Sequence, residues 1–241
     1  MLDAVELPIG DYQNLRIAVL DEDIDFTYVE ETGGTEKKQL KIPSDELKLG
    51  AFTVGDSSTQ TFVIEFGLIQ ALTYNPGPDR YILKPRGIRI VRLEDASSIS
   101  GIVDLSAIHL LDGCSDKTDA SIGNTAYLYE NHGLDTSLLG DIFIREDGGE
   151  EPEFDPDVAS NVVAPLSSTN IDGTTGEFLF SYLNSGNYTL AISCKANADD
   201  PIIYNEIEVP SPSAQLIELS LKKETDLDCR FPNPEACTET E

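Results

Sequence analysis

The sequence predicts an all-β protein made of two β-sandwich domains in tandem, and three observations support this prediction. Short runs of β-branched and aromatic residues, separated by Gly, Asn, Asp and Pro, recur along all 241 residues. The sequence contains no amphipathic helix longer than about two turns. A polar break at residues 94–100 is followed by a new strand, and one short motif occurs on both sides of that break.

Six strand segments are predicted before the break. In one of them Phe62, Ile64 and Phe66 fall on the same face, which is the period-two pattern of a half-buried sheet. The Gly-Gly pair at 33–34 predicts a hairpin turn, and residues 67–77 predict a single helical turn. The predicted segments are 15–20, 25–29, 38–42, 47–54, 61–66 and 81–93.

Eight strand segments are predicted after the break, at the spacing typical of a sandwich. Residues 146–157 interrupt them with an acidic stretch rich in Pro and Gly, which predicts a surface loop. The predicted segments are 101–105, 125–130, 141–146, 161–168, 177–183, 188–194, 202–209 and 215–222.

The repeated motif is Leu-x-x-Gly-x-Tyr, found at 7–12 and again at 183–188. A tyrosine that enters a strand can donate its hydroxyl proton to the preceding loop, as in the tyrosine corner of sandwich domains. The motif therefore predicts related corners in both halves. In the first copy the apolar residues are out of phase with Tyr12, and we attribute this shift to a bulge. Together these features predict domains at 1–97 and 98–223, followed by a disulfide-looped acidic tail at 224–241.

The charge balance restricts the partners. With 44 acidic and 16 basic residues, the net charge is -28, the wrong sign for binding phosphate backbones or anionic lipid heads. We therefore expect no nucleic acid partner. No apolar run is long enough to span a membrane, and the start of the sequence lacks a basic segment followed by an apolar one. The expected partner is a protein or polysaccharide at the cell surface, or a second copy of the chain.

Four cysteines predict two structural disulfides, Cys114 to Cys194 and Cys229 to Cys237, in preference to zinc or redox chemistry. Cys194 shares a strand face with apolar residues, so its sulfur should point inward. Disulfides indicate an oxidising compartment and hence an extracytoplasmic location. Because no export signal precedes them, we predict that the chain is the downstream part of a longer exported precursor.

The sequence offers few residues for catalysis or cofactor binding. Calcium is the one cofactor considered, since hard cations take several oxygens from flexible loops, and the alternative is a solvated acidic surface. His109 is interpreted as a packed or strand-edge residue, His132 as a loop residue, and Gly55-Asp56-Ser57 as a polar turn without an activated serine. No catalytic residue is predicted. The calcium candidates are Asp21, Glu22, Asp23, Asp25, the acidic insert, Asn170, Asp172 and Thr174.

The first half resembles the 4382 domain-of-unknown-function family of exported bacterial proteins, many of them lipoproteins. The resemblance covers about residues 5–103 and rests on the L-P-x-G-x-Y start, the LKIPSDELKL strand and N-P-G followed by YILKP. It implies a domain that lacks its usual first strands. The second half resembles a transthyretin-like or carboxypeptidase-regulatory-like sandwich at 100–103, 172–192 and 216–222. With the tyrosine corners, these resemblances imply immunoglobulin-like or transthyretin-like sandwiches.

Neither resemblance brings a catalytic residue with it. We therefore expect a non-catalytic, extracytoplasmic binding or structural module of a cell-surface or secreted protein. One alternative is a strand-complemented subunit of an extracellular assembly, because a first domain without its early strands would leave Leu15, Ile17 and Val19 poorly covered. Another alternative is an accessory domain of a secreted hydrolase.

Overall fold

A computed structural model of the chain separates into two compact units, residues 1–94 and 95–241. The division lies three residues before the predicted domain boundary, within the predicted polar break. The protein is all-β, as predicted. The structure describes residues 6–13, 15–20, 23–31, 33–42, 46–49, 51–55, 59–75, 77–84, 87–141, 153–154, 162–198, 203–204, 207–210, 216–232 and 237–240.

The described residues of the first unit form ten short strands and one helical turn. The helical turn is α1 (Leu68–Ala71), where the sequence predicts one. A 3-10 turn at Leu93–Asp95 lies at the division between the units. The strands are β1 (Gly10–Tyr12), β2 (Arg16–Ala18), β3 (Tyr28–Glu30), β4 (Lys37–Lys41), β5 (Glu46–Lys48), β6 (Phe52–Val54), β7 (Phe62–Phe66), β8 (Leu72–Asn75), β9 (Arg80–Leu83) and β10 (Ile88–Arg92).

These strands form one four-stranded sheet, in the order β3-β4-β9-β8, and three two-stranded ones, β1-β6, β2-β5 and β7-β10. Strands β3 and β4 form the predicted hairpin, with the amide of Gly34 donating to the carbonyl of Glu31 at 2.9 Å. Strand β4 runs parallel to β9, and β9 pairs antiparallel with β8. The sequence did not predict β8, because its residues follow directly on the helical turn.

One small apolar cluster forms the core of this unit. It consists of buried Ile42, Leu47, Leu49, Ala71, Leu83 and Ile88. Leu15, Ile17 and Val19 are half-buried and pack against it, so the structure covers the face that was expected to be poorly covered. Phe66 is exposed, contrary to the predicted alternation, because it lies at the end of β7.

The second unit contains ten strands and a single α-helix among its described residues. The helix is α2 (Leu105–His109), and the Asp104 side chain caps it by accepting from the Ala107 amide. Two 3-10 turns, Thr136–Leu138 and Ala196–Ala198, lie in connecting segments. The strands are β11 (Ser97–Val103), β12 (Thr125–Glu130), β13 (Glu153–Phe154), β14 (Ser167–Asn170), β15 (Glu177–Leu183), β16 (Gly186–Ser193), β17 (Ile203–Tyr204), β18 (Leu216–Leu221), β19 (Asp226–Phe231) and β20 (Thr238–Thr240).

Two four-stranded sheets, β15-β11-β19-β20 and β14-β12-β16-β18, make this unit a sandwich, and β13 pairs separately with β17. The main core joins both sheets: Ile99 and Phe178 come from the first sheet, Leu128 and Leu190 from the second. A smaller cluster around Tyr129 lies beside it. The predicted strand at 161–168 begins late, at Ser167. The predicted surface loop at 146–157 lies outside the described residues except for β13.

The described residues of 224–241 belong to the sandwich, so the predicted tail is wrong in this part of the domain layout. Strand β19 runs parallel to β11 inside the sheet, from Ser98 opposite Asp226 to Val103 opposite Phe231. Leu227, Cys229 and Phe231 are buried in the main core. The acidic composition of the segment concealed this, because charged residues alternate with the buried ones on the outer face.

Both predicted tyrosine corners are present. The Tyr12 hydroxyl donates to the Pro8 carbonyl at 2.8 Å, and the Tyr188 hydroxyl donates to the Asn184 carbonyl at 2.8 Å, four residues back in each case. The phase shift in the first copy comes from a change of strand and not from a bulge. Tyr12 belongs to β1, which pairs with β6, whereas Ile17 belongs to β2, which pairs with β5.

We expect Tyr188→Phe to lower the free energy of unfolding of the second unit by about 0.5 to 1.5 kcal/mol, the net value of one hydrogen bond. Tyr188 is 3% exposed, so its ring stays packed in the variant. Tyr12→Phe is the matched control, because Tyr12 is only half-buried and its loss should be smaller. Urea unfolding monitored by hydrogen exchange, which reports each unit separately, measures the loss of stability in both variants. Equal losses in the two variants would contradict the expectation.

No helix in the described part of the chain is long and apolar enough to cross a membrane.

Candidate functional site

Five polar and aromatic residues meet at one end of the four-stranded sheet of the first unit. We call them the Lys38 cluster: Glu31, Lys38, Tyr74, Asp79 and Tyr81. Lys38 lies in β4, Tyr74 and Tyr81 lie opposite each other in β8 and β9, and Glu31 follows β3. The cluster continues the sheet face on which Leu72 and Leu83 pack into the core, at the point where that face reaches solvent.

The turn between β8 and β9 places two of these residues. It contains the N-P-G-P-D sequence, whose Pro and Gly favour a tight reversal. Asp79 adopts a left-handed conformation, with φ of 51°, which Asp tolerates better than most residues. The reversal brings the Asp79 carboxylate back beside the Tyr74 hydroxyl, which donates to it at 2.5 Å.

Lys38 joins the two sides of the cluster. Its ammonium donates to Asp79 Oδ1 at 2.9 Å and to the Tyr74 hydroxyl at 3.3 Å, and lies 3.2 Å from Glu31 Oε1. The Tyr81 hydroxyl donates to the same Glu31 oxygen at 2.8 Å. The three ammonium hydrogens are thus matched by three acceptors.

The two tyrosine rings form an aromatic pair above the sheet. Their centroids are 5.1 Å apart with a tilt of 50° between the ring planes. The Lys38 ammonium lies 4.4 Å from the centroid of Tyr74, a cation-π distance. Tyr74 remains 39% exposed, so part of its ring is open to a ligand.

The hydrogen bonds set the charge state of the cluster. The Tyr81 hydroxyl and then Lys38 lower the pKa of Glu31, while Lys38 and then Tyr74 lower the pKa of Asp79. Asp79 and Tyr74 raise the pKa of Lys38, and the bond to Glu31 raises the pKa of Tyr81. These shifts favour ionised carboxylates at Glu31 and Asp79, a protonated ammonium at Lys38 and a neutral phenol at Tyr81.

The pKa shifts of the two carboxyl groups disfavour a role as general acid. A carboxyl group that acts as a general acid needs a raised pKa, and both carboxyl groups here have the opposite shift. Their side chains are 48% and 65% exposed, so oxygens of Glu31 and Asp79 can accept hydrogen bonds from a ligand. The cluster thus presents acceptors on both sides of an aromatic pair.

Residues 1–85 match the model of a family described as a domain of unknown function (DUF4382). The match agrees with the resemblance found for the first half. All five residues of the Lys38 cluster fall inside the DUF4382 match. No curated protein and no solved structure matches the chain. The transthyretin-like resemblance of the second half stays a prediction.

The candidate calcium residues lie in separate turns. Asp23, in the DUF4382 region, accepts from the Asp25 amide at 3.1 Å. Asp172, in the second unit, accepts from the amides of Thr174 and Thr175 at 2.8 and 2.7 Å, which lowers its pKa and explains its place in the turn. Asp21 and Glu22 lie outside the described residues, as does most of the acidic insert. Within the described ranges, no three His, Cys, Asp or Glu side chains are grouped to hold a metal ion.

The two histidines lie in different surroundings. His109 is half-buried at the end of α2, so it lies on a helix and not on a strand edge. His132 is an exposed loop residue, as predicted, and its Nε2 lies 2.7 Å from the Leu219 carbonyl. The Gly55 amide donates to the Gln60 side chain at 3.1 Å. Asp56 and Ser57 lie outside the described residues, so the interpretation of this segment as a polar turn stays a prediction.

Both predicted disulfides are confirmed. Cys114 bonds to Cys194 across 80 residues, with both sulfurs in the main core, and Cys229 bonds to Cys237 across eight. Cys114 follows α2 and Cys194 follows β16, so the first bond ties a loop to the central strand of a sheet.

Sequence reasoning missed the Lys38 cluster because its members come from four separated segments. No two of its members are adjacent in the sequence, so no local pattern brings its carboxylates and rings together. One signal was available: Tyr74 and Tyr81 are placed symmetrically about the Gly77–Pro78 bond, so a hairpin that reverses there would pair them. Recognising that hairpin would have required predicting β8.

Proposed function

We propose that the protein is a non-catalytic binding module that acts outside the cytoplasm and attaches to a protein or polysaccharide at the cell surface. The observation that carries the proposal is the Lys38 cluster, a preformed group of exposed aromatic and acceptor atoms. Its internal bonds fix the side chains before any ligand arrives, which reduces the entropy lost on binding.

The surface of the first unit supports this assignment. Of the 14 large apolar side chains that are exposed in the described residues, ten belong to residues 7–93. The charges show the same asymmetry: the first unit has 16 acidic and 10 basic residues, a net charge of -6, whereas the second has 28 and 6, a net charge of -22. The less strongly charged unit, with its exposed aromatic residues, suits recognition, while the strongly acidic unit suits solubility.

The disulfides support the location. One of them closes a long loop inside a core, where it stabilises the fold only in an oxidising compartment. Both cysteine pairs are bonded, which is the state expected of an exported protein.

The test is cosedimentation of the purified chain with intact cells of the source organism. We expect Tyr74→Ala to reduce the bound fraction, because it removes the exposed ring of the Lys38 cluster. Tyr28→Ala is the matched control: Tyr28 is 37% exposed in the same sheet and also has a lysine, Lys37, 3.8 Å from its ring centroid, but it belongs to no such cluster.

Two results would contradict the proposal. Equal loss of binding in Tyr74→Ala and Tyr28→Ala, or no binding by the unmodified chain, would reject the Lys38 cluster as a recognition site. Release of soluble sugar or peptide from the bound cells, abolished by Glu31→Gln, would show that the module is catalytic.

A further inference from the structure

The Lys38 ammonium has no capacity left for a ligand. Its three hydrogens are directed at Asp79, Glu31 and the Tyr74 hydroxyl, and only 19% of its side chain is exposed. An anionic ligand would therefore meet two carboxylates without a free positive group to bind it. This excludes acidic polysaccharides and phosphorylated peptides as preferred ligands of the cluster.

The groups that do face solvent are hydrogen-bond acceptors. The tyrosine hydroxyls donate inward, to Asp79 Oδ1 and Glu31 Oε1. Each carboxylate keeps a second oxygen, and neither of these oxygens has a hydrogen-bond partner among the described residues. A ligand must therefore supply donors, and it must supply them on both sides of an aromatic pair.

A cationic ligand is disfavoured by the lysine already present. Its ammonium lies between the carboxylates and over the Tyr74 ring, so it occupies the positions that an incoming ammonium or guanidinium group would use. A second positive charge in the same place would be repelled by the first. Neutral hydroxyl donors meet no such repulsion.

We propose that the Lys38 cluster is a subsite for a neutral polysaccharide. Sugar hydroxyls donate to the outer oxygens of Glu31 and Asp79, and the apolar C–H face of a sugar ring packs on Tyr74. The tilted tyrosine pair, with Tyr74 39% exposed, suits one or two residues of a longer chain lying across the sheet end. This inference rests on the proposed function and names the ligand class of the same site.

The test uses an immobilised array of neutral oligosaccharides of glucose, mannose and galactose, followed by calorimetry with the soluble oligosaccharide that binds best. We expect binding by the full chain, weakened about tenfold or more in Tyr74→Ala, the effect of losing one stacked ring. Asp79→Asn should also weaken it, because it replaces an acceptor oxygen by an amide that donates. Tyr28→Ala should bind as the unmodified chain does.

Thermal unfolding of each variant shows whether the first unit is still folded. Tyr74→Phe is a second variant, which separates the contribution of the ring from that of the hydroxyl. Phe keeps the ring and loses only the hydroxyl that donates inward, so we expect it to retain most of the affinity. Affinity that is unchanged in both Tyr74→Ala and Asp79→Asn would overturn the proposal. So would stronger binding to an arginine-rich peptide, recognised by its weakening at high salt.

Failure of the ligand class can be separated from failure of the proposed function. If no neutral oligosaccharide binds but the chain still cosediments with cells, and protease treatment of the cells abolishes this, the partner is a protein: the ligand class is then wrong and the proposed function stands. If cosedimentation fails as well, both are wrong.

Discussion

Ending the chain at Lys223 should unfold the second unit. The truncation removes β19, which lies between β11 and β20 in its sheet, and with it the buried side chains of Leu227 and Phe231. Each large apolar side chain contributes about 1.5 to 3 kcal/mol when buried. The truncation also removes the hydrogen-bonding partner of β11 along six paired residues. Against a total stability of about 5 to 15 kcal/mol, these losses leave no stable sandwich.

The matched control removes only residues 238–241. This deletes β20, whose three residues are all exposed, and leaves β19 and the Cys229 to Cys237 bond in place. We expect the second unit to remain folded. Hydrogen exchange across β12 and β16 is the measurement, because these strands lie in the opposite sheet and lose protection only if the whole sandwich opens. Full protection in the chain ending at Lys223 would show that 224–241 is a tail after all.

Phe231→Ala offers a milder form of the same test. Phe231 is 3% exposed and its ring lies 6.1 Å from that of Phe178. Truncation of a buried aromatic residue costs about 3 to 5 kcal/mol. A loss of this size in urea unfolding would place the Phe231 side chain, and with it β19, in the core.

The local pattern of apolar and polar residues predicted much of this fold. It succeeded for strands that bury at least one face in the core. Strands β12, β15, β16 and β18 alternate or run continuously apolar and were predicted within a few residues. The tyrosine corners were also predictable, because the donor, the turn glycine and the following strand lie within six residues. The pairing of Cys114 with Cys194 followed from the inward face of one strand.

Prediction failed where the neighbours of a segment decide its structure. The outer face of β19 carries Asp226, Asp228 and Arg230, and in the sequence these residues mask the alternating Leu227, Cys229 and Phe231. Nothing local shows that this strand runs parallel beside β11, more than 120 residues earlier. The Lys38 cluster could not be predicted for the same reason. Four segments must pair in the right register before its charged groups and rings come together.

The first unit has the smaller core of the two, and this shapes its expected behaviour. Counted over the described residues, its buried cluster contains six side chains, whereas the main core of the second unit contains 20. Its sheets are short, and polar networks such as the Lys38 cluster take part in joining their strands. We therefore expect the first unit to open locally at a lower free-energy cost than the second, because fewer packed contacts must be broken.

Replacing Cys114 and Cys194 together by Ala should lower the free energy of unfolding of the second unit by about 4.5 kcal/mol, the chain-entropy value for a loop of this length. The bond closes 80 residues, so its removal frees a large part of the unfolded chain. Replacing Cys229 and Cys237 opens a loop of only eight and should cost about 2.6 kcal/mol. Urea unfolding of the full chain, with hydrogen exchange to report the second unit alone, measures the difference.

The comparison of the two double variants tests the entropic origin of the effect. In each pair at least one sulfur is fully buried, since Cys114 and Cys229 are both 0% exposed, so both variants lose packing inside the same main core. Loop length is then the principal difference between them. A larger loss in the Cys229 and Cys237 variant would show that the short bond stabilises the native sheet directly, by holding β20 against β19. We expect the Cys114 and Cys194 variant to be the less stable of the two. This order would show that the disulfides act by lowering the conformational entropy of the unfolded chain, because the longer loop gains more entropy when its bond is removed.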